Sequence, residues 1–193
     1  MLSAVSEKLT EKAVKCGCIQ REQYDEYLFA VNMITNILIT DLTMVLIGGI
    51  MGMLWECIVF WLFYKILRKY CGGFHFSTSL KCYASSCVMC PIVLVAVKYV
   101  PYELYVWLSV AMVGSIILFM LSPVPAVNKP LDEKEFIMFG RVARILTVVV
   151  LSIDIIAAFF GLHILSTLIS ISVICAAIYC IIAKIHLSYY GQE

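Results

Sequence analysis

A histidine and a cysteine in this sequence could form a nucleophile–base pair if the chain bends between them. His75 and Cys82 are seven residues apart, and on one continuous helix they would lie about 10 Å apart along the axis, too far for a hydrogen bond. A helix that begins near Ser77 or Ser79, both good N-cap residues, would place Cys82 in or just after its first turn, where the helix dipole favours a thiolate. The glycines at 72–73 would give the preceding loop the freedom to fold His75 over the thiol. The pattern predicts a nucleophile–base pair, with an interfacial histidine beside an ordinary cysteine as the alternative.

Three further residues are candidates to support this pair. Ser85 and Ser86 follow Cys82 by three and four positions, so they share its face of a helix. They could help an oxyanion site, although small residues in such positions also serve as packing aids. Glu56 could orient His75 or bind substrate, or it could be hydrogen-bonded to another helix in a structural role.

The sequence lacks the motifs of other membrane proteases and of a metal site. It contains neither H-E-x-x-H for a zinc protease nor G-x-S-x-G for a serine hydrolase. The closely spaced pairs Cys16/Cys18 and Cys87/Cys90 lack the companion ligands that a zinc site needs. We therefore expect no metal and no cofactor, and we expect the cysteines inside apolar stretches to act as small apolar fillers.

The composition requires a membrane around these residues. The chain has 193 residues, of which 63% are hydrophobic and 14% charged. That share is about 122 residues, and six membrane-spanning helices of about 20 residues would take about 120. Soluble, disordered and coiled-coil classes are excluded, and the aliphatic excess argues against an outer-membrane β-barrel. The formal net charge of +1 implies no nucleic-acid partner.

The predicted fold is all-α: a polytopic membrane protein with six transmembrane helices and an N-terminal amphipathic helix. We expect one membrane-embedded domain over residues 1–193, with the amphipathic segment at 1–27, the six-helix bundle at 28–182 and a cytoplasmic tail at 183–193. Turns are predicted at Gly48-Gly49, at Pro101 and at 161–163. The six apolar stretches are 28–48, 50–67, 80–97, 102–121, 139–160 and 162–182.

Two surfaces are expected to contact lipid or the membrane interface. The first is the apolar face of the N-terminal segment, formed by Leu2, Val5, Leu9, Ala13 and Cys16. This helix, which Gly17 is expected to interrupt, would lie on the membrane surface or pack under the bundle. The second is an aromatic cluster on the second apolar stretch, formed by Trp55, Phe60, Trp61, Phe63 and Tyr64.

The positive charges predict the orientation of the six spans. If both termini are cytoplasmic, 13 of the 14 Lys and Arg residues lie on the cytoplasmic side, and Lys98 lies outside. This bias is strong, and models with four or five spans would spoil it. The loop that carries His75 and the start of the helix that carries Cys82 would then face the cytoplasm.

Two sequence motifs resemble those of the accessory gene regulator B (AgrB) family, whose members are bacterial membrane peptidases that process a quorum-sensing pro-peptide. The run Arg68…Gly72-Gly73-Phe74-His75…Cys82 is similar to the family's signature. The run 122–131, S-P-V-P-A-V-N-K-P-L, is similar to its proline-rich loop containing N-K-P, although Pro125 stands where the family often has an acidic residue. Length and six-span hydropathy agree over nearly the whole chain.

The resemblance implies roles for particular residues and a reaction. Cys82 would be the nucleophile and His75 the base, and Arg68 and Gly73 fall on motif positions. The enzyme would be a cysteine endopeptidase of the bacterial cell membrane that cleaves the C-terminal tail from an AgrD-type pro-peptide through a thioester. Cyclisation to a thiolactone or lactone would follow. Lys129 is a candidate to hold the acidic tail of that precursor.

Membrane lipids are the other expected partners, and a homodimer is possible. Two classes of protein remain as alternatives to the peptidase. A small transporter would use the intramembrane carboxylates Asp41, Glu56 and Asp154 as its path, although the sequence lacks the interrupted paired segments of inverted repeats. A non-catalytic membrane scaffold would not need His75 or Cys82.

Overall fold

The computed structural model describes residues 2–73, 78–125 and 132–190, with side chains described over 6–73, 78–125 and 132–189. Within these ranges the chain is helical and contains no β-strand. A short 3-10 turn at Arg21–Gln23 precedes the second helix. The α-helices are α1 (Leu2–Lys15), α2 (Tyr24–Ile50), α3 (Leu54–Cys71), α4 (Ser79–Tyr99), α5 (Leu104–Leu121), α6 (Glu133–Phe159) and α7 (His163–Tyr190).

Five helical segments are long and apolar enough to cross a membrane: 21–50, which contains α2, and α4, α5, α6 and α7. This confirms an all-α, multi-pass membrane protein. Helix α3 occupies the second predicted span and has 18 residues, but four of them are charged. The longer helices have room for a long apolar stretch between their charges, whereas the 18 residues of α3 include all four.

The first predicted turn was wrong. Helix α2 continues through Gly48 and Gly49 to Ile50, and the chain turns at 51–53, where Gly52 has a φ of 67°. Gly48 is buried against α3, because a Cβ there would lie 2.6 Å from the Cβ of Cys57. A small residue at that point allows two helices to approach closely.

The other two predicted turns are confirmed, and the C-terminal boundary shifts. Residues 100–103 separate α4 from α5, and Gly161, with a φ of 72°, separates α6 from α7. Helix α7 extends to Tyr190. Residues 183–190, which we assigned to a cytoplasmic tail, therefore continue the last helix.

The core of the bundle forms around α7, which packs against α3, α5 and α6. Gly114 on α5 allows this close contact, because a Cβ there would lie 2.8 Å from a methyl carbon of Val173 on α7. The predicted lipid-facing aromatic cluster is wrong for two of its members. Phe60 and Tyr64 of α3 are buried in the core, whereas Trp55 is 66% exposed.

The N-terminal segment is helical and ends where we expected. The φ of Gly17 is 69°, and the Cys18 amide donates to the carbonyl of Ala13, which closes the end of α1. Among the side chains described over 6–15, Ser6 and Thr10 are buried, whereas Leu9 of the predicted apolar face is 52% exposed. Helix α1 packs against α2. A membrane-lying amphipathic helix stays a prediction.

Candidate active site

Cys82 lies just after the first turn of α4, as the sequence predicted. Thr78 is the N-cap, rather than Ser77 or Ser79, and its side chain accepts a hydrogen bond from the Lys81 amide at 3.4 Å. The Cys82 amide donates to the Thr78 carbonyl at 3.3 Å. The Cys82 residue is partly exposed. The thiol of Cys82 therefore belongs to a residue near the N-terminal end of α4.

His75 and Lys129 lie outside the described residues, within 74–77 and 126–131 respectively. The described chain reaches Gly73 and resumes at Thr78 on one side, and reaches Pro125 and resumes at Asp132 on the other. The roles of His75 as base and of Lys129 as a substrate contact therefore stay predictions.

The glycine pair after α3 is packed against the segment that follows α5. The Val124 amide donates to the carbonyl of Cys71 at 3.1 Å, and Gly72 pairs with Val124 in an isolated β-bridge. A Cβ at Gly72 would collide with the Val124 carbonyl oxygen, and Gly72 has a φ of 79°. We expected these glycines to supply loop freedom, but Gly72 is held by this close backbone contact.

Helix α7 holds the same segment from its other side. The thiol of Cys180 donates to the carbonyls of Cys71 and Gly72 at 3.6 and 3.5 Å. A Cβ at Gly73 would lie 3.5 Å from the Cβ of Tyr179. The exit of α3 is therefore fixed between α7 and the segment after α5.

Tyr179 of α7 brings together three residues that the sequence singled out. Its hydroxyl is hydrogen-bonded to the Oγ of Ser85 at 2.6 Å. The guanidinium carbon of Arg68 lies 4.4 Å from the centroid of its ring, within cation–π range, and its backbone lies beside Gly73. Arg68 also donates to the Tyr64 hydroxyl at 2.8 Å. The α3 exit and the helix of Cys82 therefore share one neighbour.

Tyr179 was missed by the sequence reasoning. It is the single tyrosine of the predicted apolar stretch 162–182. The phenolic hydroxyl of a tyrosine within a bundle usually finds a hydrogen-bond partner, so its isolation in this stretch was the available signal.

Ser86 and Glu56, both described residues that the sequence also singled out, have no contact with Tyr179 of the kind that Ser85 makes. The Ser86 hydroxyl donates to the Cys82 carbonyl at 3.2 Å, within its own helix. Glu56 lies in the first turn of α3, 15 residues before Cys71, which corresponds to about 22 Å along the helix. Its predicted role beside His75 requires the opposite end of α3, so we leave Glu56 out of the proposed site.

The two aspartates that a transporter would use are held in contacts between helices. Asp41 of α2 accepts hydrogen bonds from Lys65 at 2.6 and 2.8 Å and from the Trp61 indole at 2.8 Å, both on α3. Asp154 of α6 is buried and accepts from the hydroxyls of Ser166 and Ser170 on α7 at 2.6 and 2.9 Å. These contacts agree with the structural interpretation of both residues. Over the described ranges, no group of three or more His, Cys, Asp or Glu residues could hold a metal ion.

Residues 6–183 match the family model for accessory gene regulator B, AgrB. The chain belongs to the AgrB family. Searches of curated proteins and of solved structures gave no match. AgrB proteins are a family of peptide-processing enzymes, and membership indicates a role in processing quorum-sensing pro-peptides, with an AgrD-type pro-peptide as partner. Family and helices together make this a multi-pass AgrB-family membrane protein.

Proposed function

We propose that this protein is a membrane cysteine endopeptidase that removes the C-terminal tail of an AgrD-type pro-peptide and cyclises the remainder. Cys82 is the nucleophile and His75 the general base. The observation that carries the proposal is that Cys82 is a partly exposed residue near the start of α4. It lies three residues before Ser85, whose partner Tyr179 also contacts the α3 exit.

The position of Cys82 distinguishes it from the other cysteines, all of which lie in the described part of the chain. Cys57, Cys71, Cys90 and Cys180 are buried. Cys87 and Cys175 lie in the interior of α4 and α7, away from the helix N-termini. Cys16 and Cys18 are exposed but follow the end of α1 rather than lying at the start of an α-helix. Cys82 alone combines access with a helix start.

The proposed reaction has two acyl transfers. His75 takes the proton of Cys82, and the thiolate attacks the scissile carbonyl of the pro-peptide. The C–N bond breaks, the imidazolium gives its proton to the leaving amine, and the tail departs from a thioester on Cys82. A cysteine thiol or serine hydroxyl of the bound peptide then gives its proton to His75 and attacks the thioester carbonyl. The C–S bond breaks, Cys82 recovers the proton, and the ring closes.

A thioester intermediate makes the second step feasible. It retains enough acyl-transfer potential to form another thioester or an ester, which hydrolysis would waste. Such an intermediate must be shielded from water until the ring closes. The packing of the α3 exit between Tyr179 and Val124 supports a site whose surroundings are ordered on two sides.

The same proposal places the active site and both termini on the cytoplasmic side. This topology needs six spans, so α3 must cross the membrane in addition to the other five helices. Its 18 residues extend about 27 Å, close to the hydrocarbon thickness of about 30 Å. The four charged residues of α3 have contacts or lie near its ends. Lys65 is paired with Asp41, Arg68 contacts Tyr179, and Glu56 lies in the first turn. A cysteine introduced at Ser77 should resist a membrane-impermeant thiol reagent on intact cells, and labelling there would contradict this topology.

Cleavage of the co-expressed pro-peptide tests the function. Cys82→Ala should abolish release of the tail while the protein still accumulates in the membrane, because one sulfur atom at a helix start is lost. Cys87→Ala, five residues along the same helix, is the matched control and should cleave at the parental rate. Cleavage by Cys82→Ala would contradict the proposed mechanism.

A further inference from the structure

Two tyrosine hydroxyls hold the N-terminal half of α4. Helix α4 packs mainly against α2 and meets α7 over a short stretch. On the α2 side, the Tyr83 hydroxyl is hydrogen-bonded to the Oγ of Thr43 at 3.1 Å. On the α7 side, the Tyr179 hydroxyl bonds Ser85 at 2.6 Å, and among the described residues this is the one side-chain hydrogen bond between α4 and α7. Ser85 therefore supplies a specific polar contact between α4 and α7, in addition to the packing of α4 against α2.

The bond to Ser85 acts close to Cys82. The two residues are three positions apart, so they lie on one face of α4 about 4.5 Å apart along its axis. A rotation of about 12° around the axis would move an atom about 5 Å from that axis by about 1 Å. Displacement of a reacting group by about 1 Å can cost about 100-fold in rate. A hydrogen bond that limits this rotation consequently controls the position of the thiol.

The other end of this link is the α3 exit. The ring of Tyr179 lies 4.4 Å from the guanidinium carbon of Arg68, and the Tyr179 backbone lies beside Gly73. Arg68 is further tied to Tyr64, whose ring centroid lies 6.1 Å from that of Tyr179. Tyr179 thus contacts the segment that leads toward His75 and also the helix that carries Cys82.

We propose that Tyr179 is a positioning residue. Through its hydrogen bond to Ser85 it fixes the rotation of the Cys82 helix about its axis relative to the α3 exit. The inference rests on the proposed function. Tyr179 makes no covalent step and moves no proton in this role. Its hydroxyl limits rotation of the Cys82 helix relative to Arg68 and Gly73 at the α3 exit.

The test separates positioning from folding and from thiol chemistry. Tyr179→Phe removes one hydroxyl and keeps the ring beside Arg68, and Ser85→Ala removes the partner. Each variant should lower kcat for tail release about tenfold or more with little change in KM. The rate at which iodoacetamide alkylates Cys82, measured by mass spectrometry, should stay parental, because the thiol keeps its helix start.

Coupling and rescue identify the bond itself. The double variant should be no slower than either single variant, since both remove the same interaction. Ser85→Thr keeps a hydroxyl and should recover most of the parental kcat. Tyr102→Phe is the matched control, because Tyr102 precedes α5 and its hydroxyl has no hydrogen-bond partner in the described structure. It should react at the parental rate.

Several results would overturn the inference. These are a parental kcat in Tyr179→Phe, additive losses in the double variant, or an equally slow Ser85→Thr. If Tyr179→Phe does not accumulate in the membrane, the comparison of Ser85→Ala with Ser85→Thr decides. Tail release by Cys82→Ala would reject the proposed function. Loss of activity in Cys82→Ala together with normal activity in Tyr179→Phe would reject the positioning role alone.

Discussion

The amide of Val124 donates to the carbonyl of Cys71 at 3.1 Å. This bond joins the proline-containing segment after α5 to the last residue of α3, so the two motifs that resemble the AgrB family meet in space. The segment that leads from Pro125 to Lys129 therefore starts beside the segment that leads from Gly73 to His75. A pro-peptide held by one motif would lie within reach of the other.

The contact at Gly72 predicts a specific cost for a side chain there. Gly72→Ala should lower stability by about 1–3 kcal/mol, because the new Cβ meets the Val124 carbonyl and the φ of 79° strains any L residue. Thermal unfolding in detergent measures this loss. Gly49→Ala is the control, since a Cβ there meets nothing within 4 Å. Equal melting temperatures for the two variants would mean that the backbone contact is not required.

The Asp41–Lys65 pair predicts non-additive effects on stability. Lys65→Met leaves the partly exposed Asp41 carboxylate without its cation and should destabilise by up to about 1 kcal/mol. Adding Asp41→Asn should recover most of the loss, because the remaining amide still accepts from the Trp61 indole. Thermal unfolding of the parent, the two single variants and the double variant measures the coupling. Additive losses would contradict a direct pair.

Hydropathy predicted where the helices lie, because an apolar stretch of sufficient length has few other solutions in a membrane. Helix α4, for example, spans Ser79–Tyr99 against the expected 80–97. The turn predicted at Gly48 was wrong, because a glycine can serve either a turn or a close contact between helices. Only the position of Cys57 in the folded structure distinguishes the two. The helix start near Cys82 was predictable from local capping residues. The contacts of Tyr179 were not predictable, because its partners Arg68 and Ser85 are distant from it in sequence.

Lys129 tests whether the proline-rich segment contacts the acidic tail. Lys129→Ala should slow processing several-fold without abolishing it, because an exposed charge contact contributes only about 1 kcal/mol. The difference from the parent should shrink as ionic strength rises, since salt already screens the contact in the parent. Processing rates in proteoliposomes at low and high salt measure both effects. Equal rates at low salt would mean that this lysine serves topology alone.

Detection of the acyl-enzyme tests the central claim most directly. The enzyme is mixed with a pro-peptide whose ring-closing cysteine or serine is replaced by alanine, so that the second transfer cannot occur, and Cys82-containing peptides are then analysed by mass spectrometry. The account predicts a mass increase on Cys82 equal to the pro-peptide without its tail, removable by hydroxylamine as a thioester. Tail release without any adduct on Cys82, or an adduct on another residue, would contradict it.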